Sequence, residues 1–198
     1  MVLAGQPGEQ ALSAVGRSLN VVLVRPRDAG PEDTGEIGAA AAALRRAAGI
    51  TAPYVLVAAD PLGAVAEAWR DMWAVTAQPR GSDEFELRAA QALAAWRARQ
   101  FELPDYYLVL AEQPGPGGDA APPDFYLGPL RSVRPNRVAV AATPAEPAAQ
   151  AAAVLAELGG LRHGPWWPSL EDIVAAARGF YPGALAGSPA AGQGTLLG

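Results

Sequence analysis

The chain has 198 residues, no cysteine and a formal net charge of −5, and all 15 of its basic residues are arginine. That length can bury an ordinary core, but the missing residue types exclude disulfides, zinc ribbons, iron–sulfur clusters, thiol nucleophiles, Schiff-base chemistry and a P-loop lysine. The acidic balance also argues against a general nucleic-acid binder, whose surface would be basic.

The first half of the chain reads as strands alternating with helices. Residues 1–18 are weakly patterned, and we predict a flexible N-terminal arm there. The apolar runs at 19–24 and 53–60 predict two buried strands with a helix between them. The pair Asp60-Pro61 opens the next helix, because the aspartate caps it and the proline fits its first turn. A third helix begins at Asp83 and ends near Phe101.

The second half contains three further apolar runs, at 105–112, 124–130 and 136–143, and each predicts a strand. Because no helical pattern separates these three runs, they predict a meander with an antiparallel member. Two helices follow, and the stretch "RHGPWWPSLED" at 162–172 connects them. Residues 184–198 read as a disordered tail.

The order of these elements predicts a three-layer α/β sandwich. Its sheet would be mixed and mostly parallel, with about five strands, because helices separate the first three strands and impose right-handed crossovers. We place this single α/β domain at 19–183.

One candidate site follows from the sheet itself. In open α/β sheets, ligands bind at the carboxyl ends of the parallel strands. Arg25, Arg27 and Asp60 follow predicted strands, and paired guanidinium groups near a helix N-terminus suit a phosphate or carboxylate. The alternative is that the arginines are solvated loop residues and that Asp60 only caps its helix.

A second candidate surface is rich in arginine and tryptophan. Arg131, Arg134 and Arg137 recur at every third position around a predicted hairpin tip. Trp166 and Trp167 should point to opposite sides of an extended, proline-restrained segment, so that one anchors the loop and the other is free to contact a partner. The alternative is an ordered helix–helix connection with Ser169 capping the last helix.

Catalytic and metal-binding patterns are weak. His163 is the only histidine and therefore the only candidate acid–base group of that type, but no serine lies in a nucleophile elbow. A histidine metal site needs more than one histidine, and the acidic pairs lie at predicted helix starts, where the helix dipole accounts for them. The loop after the first predicted strand has neither a dinucleotide nor a triphosphate fingerprint. We therefore expect no metal and no cofactor.

Two functional hypotheses remain. The first is a non-catalytic binding or assembly module, either a homo-oligomer or a binder of another protein, that uses the tryptophan loop and the arginines. The alternative is a small enzyme or sensor for an anionic metabolite at the strand ends. The chain lacks a signal-peptide pattern and any apolar run of the ~20 residues needed to span a membrane, so we expect a cytoplasmic protein with no nucleic-acid or membrane partner. The arginine- and alanine-rich, lysine-free composition is typical of a bacterium with a GC-rich genome.

Overall fold

The computed structural model describes residues 1–5, 9–26, 35–74, 81–111, 124–142 and 144–181. These residues form a five-stranded sheet in which every strand pair is parallel. Helices pack on both faces of the sheet. The predicted α/β class and the number of strands are confirmed. The predicted antiparallel member is wrong within the described residues.

The strands are β1 Val2–Ala4, β2 Val21–Val24, β3 Tyr54–Val57, β4 Tyr107–Ala111 and β5 Val138–Ala142. The helices are α1 Glu9–Gly16, α2 Gly35–Ala48, α3 Gly63–Ala74, α4 Gly81–Arg97, α5 Arg131–Val133, α6 Pro147–Leu158 and α7 Leu170–Gly179. A π-helical turn, Tyr126–Leu130, leads into α5, and a 3-10 turn, Pro135–Arg137, leads into β5. None of the helices described is both long enough and apolar enough to cross a lipid bilayer.

The N-terminal segment corrects one prediction, because it forms the centre of the sheet and not a flexible arm. The strand order is β2-β3-β1-β4-β5, and Val2 is aligned with Val57 on one side and Tyr107 on the other. All three residues of β1 are buried. A strand this short and buried on both faces shows no alternation of apolar and polar residues, which is why its pattern is weak.

Two apolar clusters fill the space between the sheet and its helices. One lies against α1 and α6 and includes Leu12, Leu108 and Val154. The larger one lies on the opposite face against α2, α3, α4 and α7, with Trp69 and Ile173 fully buried. Alanine-rich helices can approach the sheet closely, so this core depends on a few large side chains.

The run at 124–130 is not a strand, which corrects a second prediction. The Asp124 carboxylate accepts hydrogen bonds from the backbone N–H groups of Tyr126 (2.7 Å) and Leu127 (2.9 Å). Such a side-chain acceptor satisfies the first free donors of a helix and starts a helical turn. The chain then crosses to β5, which pairs parallel with β4.

The end of β1 depends on Gly5. Its φ is +102°, and a Cβ at this position would lie 3.1 Å from the Cβ of Leu110. Only glycine accepts both the positive φ and this close approach. Gly5 therefore lets the chain turn at the end of β1 while its backbone stays close to Leu110 of β4. The predicted tail at 184–198 lies outside the described residues.

Candidate binding groove

A large concavity lies at the amino-terminal edge of the sheet, which is opposite the edge where we predicted a ligand. We call it the amino-edge groove, and its volume is about 830 Å³. Its walls are residues that precede or begin β1, β3 and β4, the last turns of α2, and the segments that follow α4 and α6. They include Met1, Leu44, Ile50, Tyr54, Asp105, Tyr106, Leu161, His163 and Trp166.

The amino-edge groove is lined by charges of both signs. Arg45 and Arg99 contribute two positive charges, and Glu102 and Asp105 contribute two negative charges. Arg45 also donates a hydrogen bond of 2.8 Å to the backbone carbonyl of Gln100, which ties α2 to the chain beyond α4. Most of the remaining lining side chains are aliphatic or aromatic, so the groove offers apolar contact between charges of both signs.

Trp166 forms part of the rim of this groove. It is 52% exposed, whereas Trp167 beside it is buried. The Arg137 guanidinium lies 4.6 Å from the centre of the Trp166 ring and 5.2 Å from that of Tyr106, so it stacks between two aromatic side chains. The indole ring is therefore held in one place while half of its surface remains open.

Arg137 fixes the backbone that carries this tryptophan. Its guanidinium group donates hydrogen bonds to the carbonyl oxygens of Asp105 (3.0 Å), Gly164 (2.9 Å) and Pro165 (3.0 Å). The residue is buried, and a buried guanidinium needs such partners to offset its lost hydration. Arg134 adds a hydrogen bond of 2.6 Å to the carbonyl of Trp166. Arg134 and Arg137, both predicted as interaction residues, therefore position the loop. The third predicted interaction arginine, Arg131, is exposed.

Trp167 anchors the same loop from its other side. Its Nε1 donates a hydrogen bond of 2.6 Å to the carbonyl of Pro104, and its ring packs edge-on against Tyr107 with centroids 5.8 Å apart. The Ser169 hydroxyl then caps α7 by accepting a hydrogen bond from the Asp172 N–H. The stretch 162–172 is thus an ordered helix–helix connection, and the two tryptophans point to opposite sides as the sequence predicts.

His163 is exposed at the wall of the amino-edge groove. In the parts of the chain that the structure describes, no hydrogen bond joins it to a serine or to a carboxylate. The groove therefore presents a histidine without the nucleophile–base pairing that acyl transfer requires. A catalytic role for His163 stays a prediction.

Two of the residues predicted at the carboxyl ends of the strands, Arg25 and Asp60, contact different partners. Arg25 donates hydrogen bonds to the carboxylate of Glu9 and, at 3.3 Å, to the Ser13 hydroxyl. Asp60 follows the neighbouring strand, and Arg27 lies outside the described residues. Whether these residues bind an anion stays a prediction.

Asp60 has a second role that the sequence did not indicate. Its carboxylate accepts hydrogen bonds from the hydroxyls of Tyr126 and Tyr107 (3.1 Å to the latter) and from the Leu62 N–H (2.9 Å). By surface area the residue is partly buried, but its carboxyl group is enclosed, and this burial raises the pKa of Asp60. Burial and the neighbouring carboxylate hold the pKa of both tyrosines well above their usual range, so both hydroxyls act as donors.

Sequence reasoning missed the amino-edge groove for a topological reason. Its walls come from four separate stretches of chain, and the side chains carry no motif. The one available signal was the pair of adjacent tryptophans, only one of which an extended segment can bury. Among the described residues, no group of three histidine, cysteine, aspartate or glutamate side chains lies close enough to hold a metal ion.

The fold and the groove together define a class: an α/β protein with a five-stranded parallel sheet and an aromatic-rimmed groove at the amino-terminal edge of that sheet. Comparison with protein-family models, with curated proteins and with solved structures found no match to this chain.

Proposed function

We propose that this protein is a non-catalytic binding module, and that an apolar segment of a partner protein docks in the amino-edge groove against Trp166. The observation that carries the proposal is the half-exposed indole ring, held by Arg137 at the rim of the groove. Tryptophan is enriched among the residues that dominate binding energy at protein interfaces.

The form of the groove favours an apolar partner segment. A volume of about 830 Å³ falls within the range of sites that enclose a compact ligand or several side chains. The lining carries both arginines and acids, which give neither an anionic nor a cationic ligand a uniform field. Because the loop is fixed by Arg134, Arg137 and Trp167, binding would require little ordering of the protein, which favours affinity.

The anionic-metabolite alternative remains a prediction for the other edge of the sheet. No contact among the described residues favours it, because Arg25 is bonded to Glu9 and the carboxyl group of Asp60 is enclosed by tyrosines. The proposal includes the expectation of a bacterial, cytoplasmic protein without a nucleic-acid or membrane partner. Its partner is either another protein or a second copy of this chain.

The test is a selection of binding peptides on the purified full chain. A phage library of random peptides is selected against the wild-type protein, and the recovered peptides are measured by fluorescence anisotropy on Trp166→Ala. We expect affinity to fall at least about tenfold, because truncating a hot-spot tryptophan costs about 2 kcal/mol or more. Leu87→Ala is the matched control, since Leu87 is also 52% exposed but lies on α4, outside the groove.

Recovered peptides should be rich in apolar side chains and should bind Leu87→Ala like the wild-type protein. If every recovered peptide binds Trp166→Ala as tightly as it binds the wild-type protein, the amino-edge groove is not the binding site and the proposal is wrong.

A further inference from the structure

The second feature that points to a ligand is the outer edge of β2. This strand is at the end of the sheet, next to β3 alone. The carbonyl groups of Asn20 and Val24 accept hydrogen bonds from Tyr54 (3.1 Å) and Ala58 (2.9 Å) on the β3 side. Because alternate residues of a strand face the same neighbour, Val21 and Leu23 direct their backbone groups to the opposite, outer side.

No strand among the described residues pairs with that outer side. The N–H of Val21 is used by a turn, at 3.4 Å from the carbonyl of Ser18, but the backbone groups of Leu23 face away from the sheet. Leu19, just before the strand, is 91% exposed. An open edge with an adjacent exposed leucine is a template for an added strand.

A shallow groove of about 430 Å³ lies beside this edge, between β2 and α1, and we call it the β2-edge groove. Its described lining contains two arginines, Arg17 and Arg25, and Arg25 is ion-paired with the carboxylate of Glu9 on α1. The hydrogen bond from Arg25 to Ser13 places that guanidinium against α1. Arg17 is exposed.

We propose that the outer edge of β2 binds an extended segment of a partner protein as a sixth strand, and that an acidic side chain of this segment occupies the β2-edge groove. The backbone groups of Leu23 supply the hydrogen bonds of strand addition, and the exposed Arg17 supplies charge complementarity.

The experiment compares two substitutions at one residue, with peptides selected from the same random-peptide phage library. Leu23→Pro removes the outward N–H without removing a hydrogen bond to β3, whereas Leu23→Ala loses the same side chain and keeps the N–H. We expect peptides with acidic residues to be recovered on the wild-type protein, to bind Leu23→Ala, and to bind Leu23→Pro at least about tenfold more weakly.

A second pair of variants, each of which reverses one charge, tests the inference if circular dichroism shows that Leu23→Pro is unfolded. Arg17→Glu should weaken the acidic peptides at least about tenfold, and the loss should shrink in high salt because exposed charges are screened. Arg97→Glu makes the same charge change at an exposed arginine of α4 that does not line the groove, and it should have no effect.

The inference is overturned if no acidic peptide is recovered, if Leu23→Pro and Leu23→Ala bind alike while both are folded, or if Arg17→Glu and Arg97→Glu bind alike. Pairing of two copies would instead appear as a dimer in light scattering that Leu23→Pro dissociates, and this result would also overturn it. Each recovered peptide is measured on Trp166→Ala as well, so failure of this inference is separate from failure of the proposed function.

Discussion

At the scale of single residues, Asp60 joins three parts of the structure that are distant in sequence. Its carboxylate accepts the Leu62 N–H at the start of α3, the Tyr107 hydroxyl from β4 and the Tyr126 hydroxyl from the π-helical turn. Capping alone, which the sequence predicts, accounts for only the first of these hydrogen bonds. The other two make Asp60 a tertiary contact as well as a local one.

The raised pKa of Asp60 predicts a pH dependence of stability. Because its folded-state pKa lies above the ordinary value of 3.8, the folded protein holds this proton more tightly than the unfolded chain. The contribution is fully present below the unfolded-state pKa and is lost as the pH rises through the folded-state pKa. Urea unfolding of the wild-type protein and of Asp60→Asn should therefore show the wild type gaining relative stability as the pH falls from neutral towards 4.

The comparison with Asp60→Asn removes the contributions of the other titrating groups, which both proteins share. A difference in unfolding free energy that does not change between neutral and acidic pH would show that Asp60 has no raised pKa in the folded protein.

Arg137 has a structural role that the sequence does not predict. In the sequence it is one of three evenly spaced arginines that resemble a solvated charge cluster. In the structure it is buried, stacked between two aromatic rings and hydrogen-bonded to three carbonyl oxygens. No local pattern marks it, because all three acceptors are backbone groups of segments that lie 27 to 32 residues away.

At the scale of elements, the segment 124–133 shows why short apolar runs mislead. "DFYLGPL" has the composition of a strand, and nothing in its spacing distinguishes a strand from a buried helical turn. The Asp124 side chain caps the turn and so favours the helical form over a strand. Gly128 lets the Phe180 ring approach this turn. A Cβ at Gly128 would lie 3.0 Å from Cε1 of that ring.

Helices α4 and α7 are joined at both ends by ion pairs, Arg97–Glu171 and Arg178–Glu86. The second is bidentate, with N–O distances of 2.8 and 2.7 Å. Both of its side chains are about half exposed, so solvent screening limits its contribution. A double-mutant cycle with Glu86→Gln and Arg178→Gln should give a coupling energy of about 0.2–1 kcal/mol, measured from urea unfolding.

The coupling should also weaken in acid. The Arg178 side chain lowers the pKa of Glu86, so the contribution is present above the unfolded-state pKa and is lost as the pH falls through the folded-state value. Glu84→Gln with Arg88→Gln is the control cycle, because that pair lies within α4 alone. A Glu86–Arg178 coupling well above 1 kcal/mol would contradict the screening argument.

At the scale of the whole molecule, β1 determines whether the sheet is continuous. It lies between β3 and β4, so the two halves of the sheet meet through it. Val2 is 0% exposed. Val2→Asp should therefore abolish cooperative unfolding, because an unpaired buried carboxylate costs several kcal/mol against a total stability of about 5–15 kcal/mol.

Val22→Asp makes the same change in β2, on the outer edge of the sheet where Val22 is partly exposed. It should leave a folded protein with a lowered melting temperature, measured by circular dichroism. Equal damage from the two substitutions would contradict the central position of β1.

The sequence by itself determined the α/β class, four of the five strands to within a few residues, the cap on α7 and the opposite orientations of Trp166 and Trp167. These properties depend on local periodicity, capping and chain direction, which neighbouring residues encode. Tertiary structure decided the central place of β1, the helical form of 124–133, the roles of Arg137 and Asp60, and the amino-edge groove. Each of those depends on partners that are remote in sequence, and their contacts exist only once the sheet has assembled.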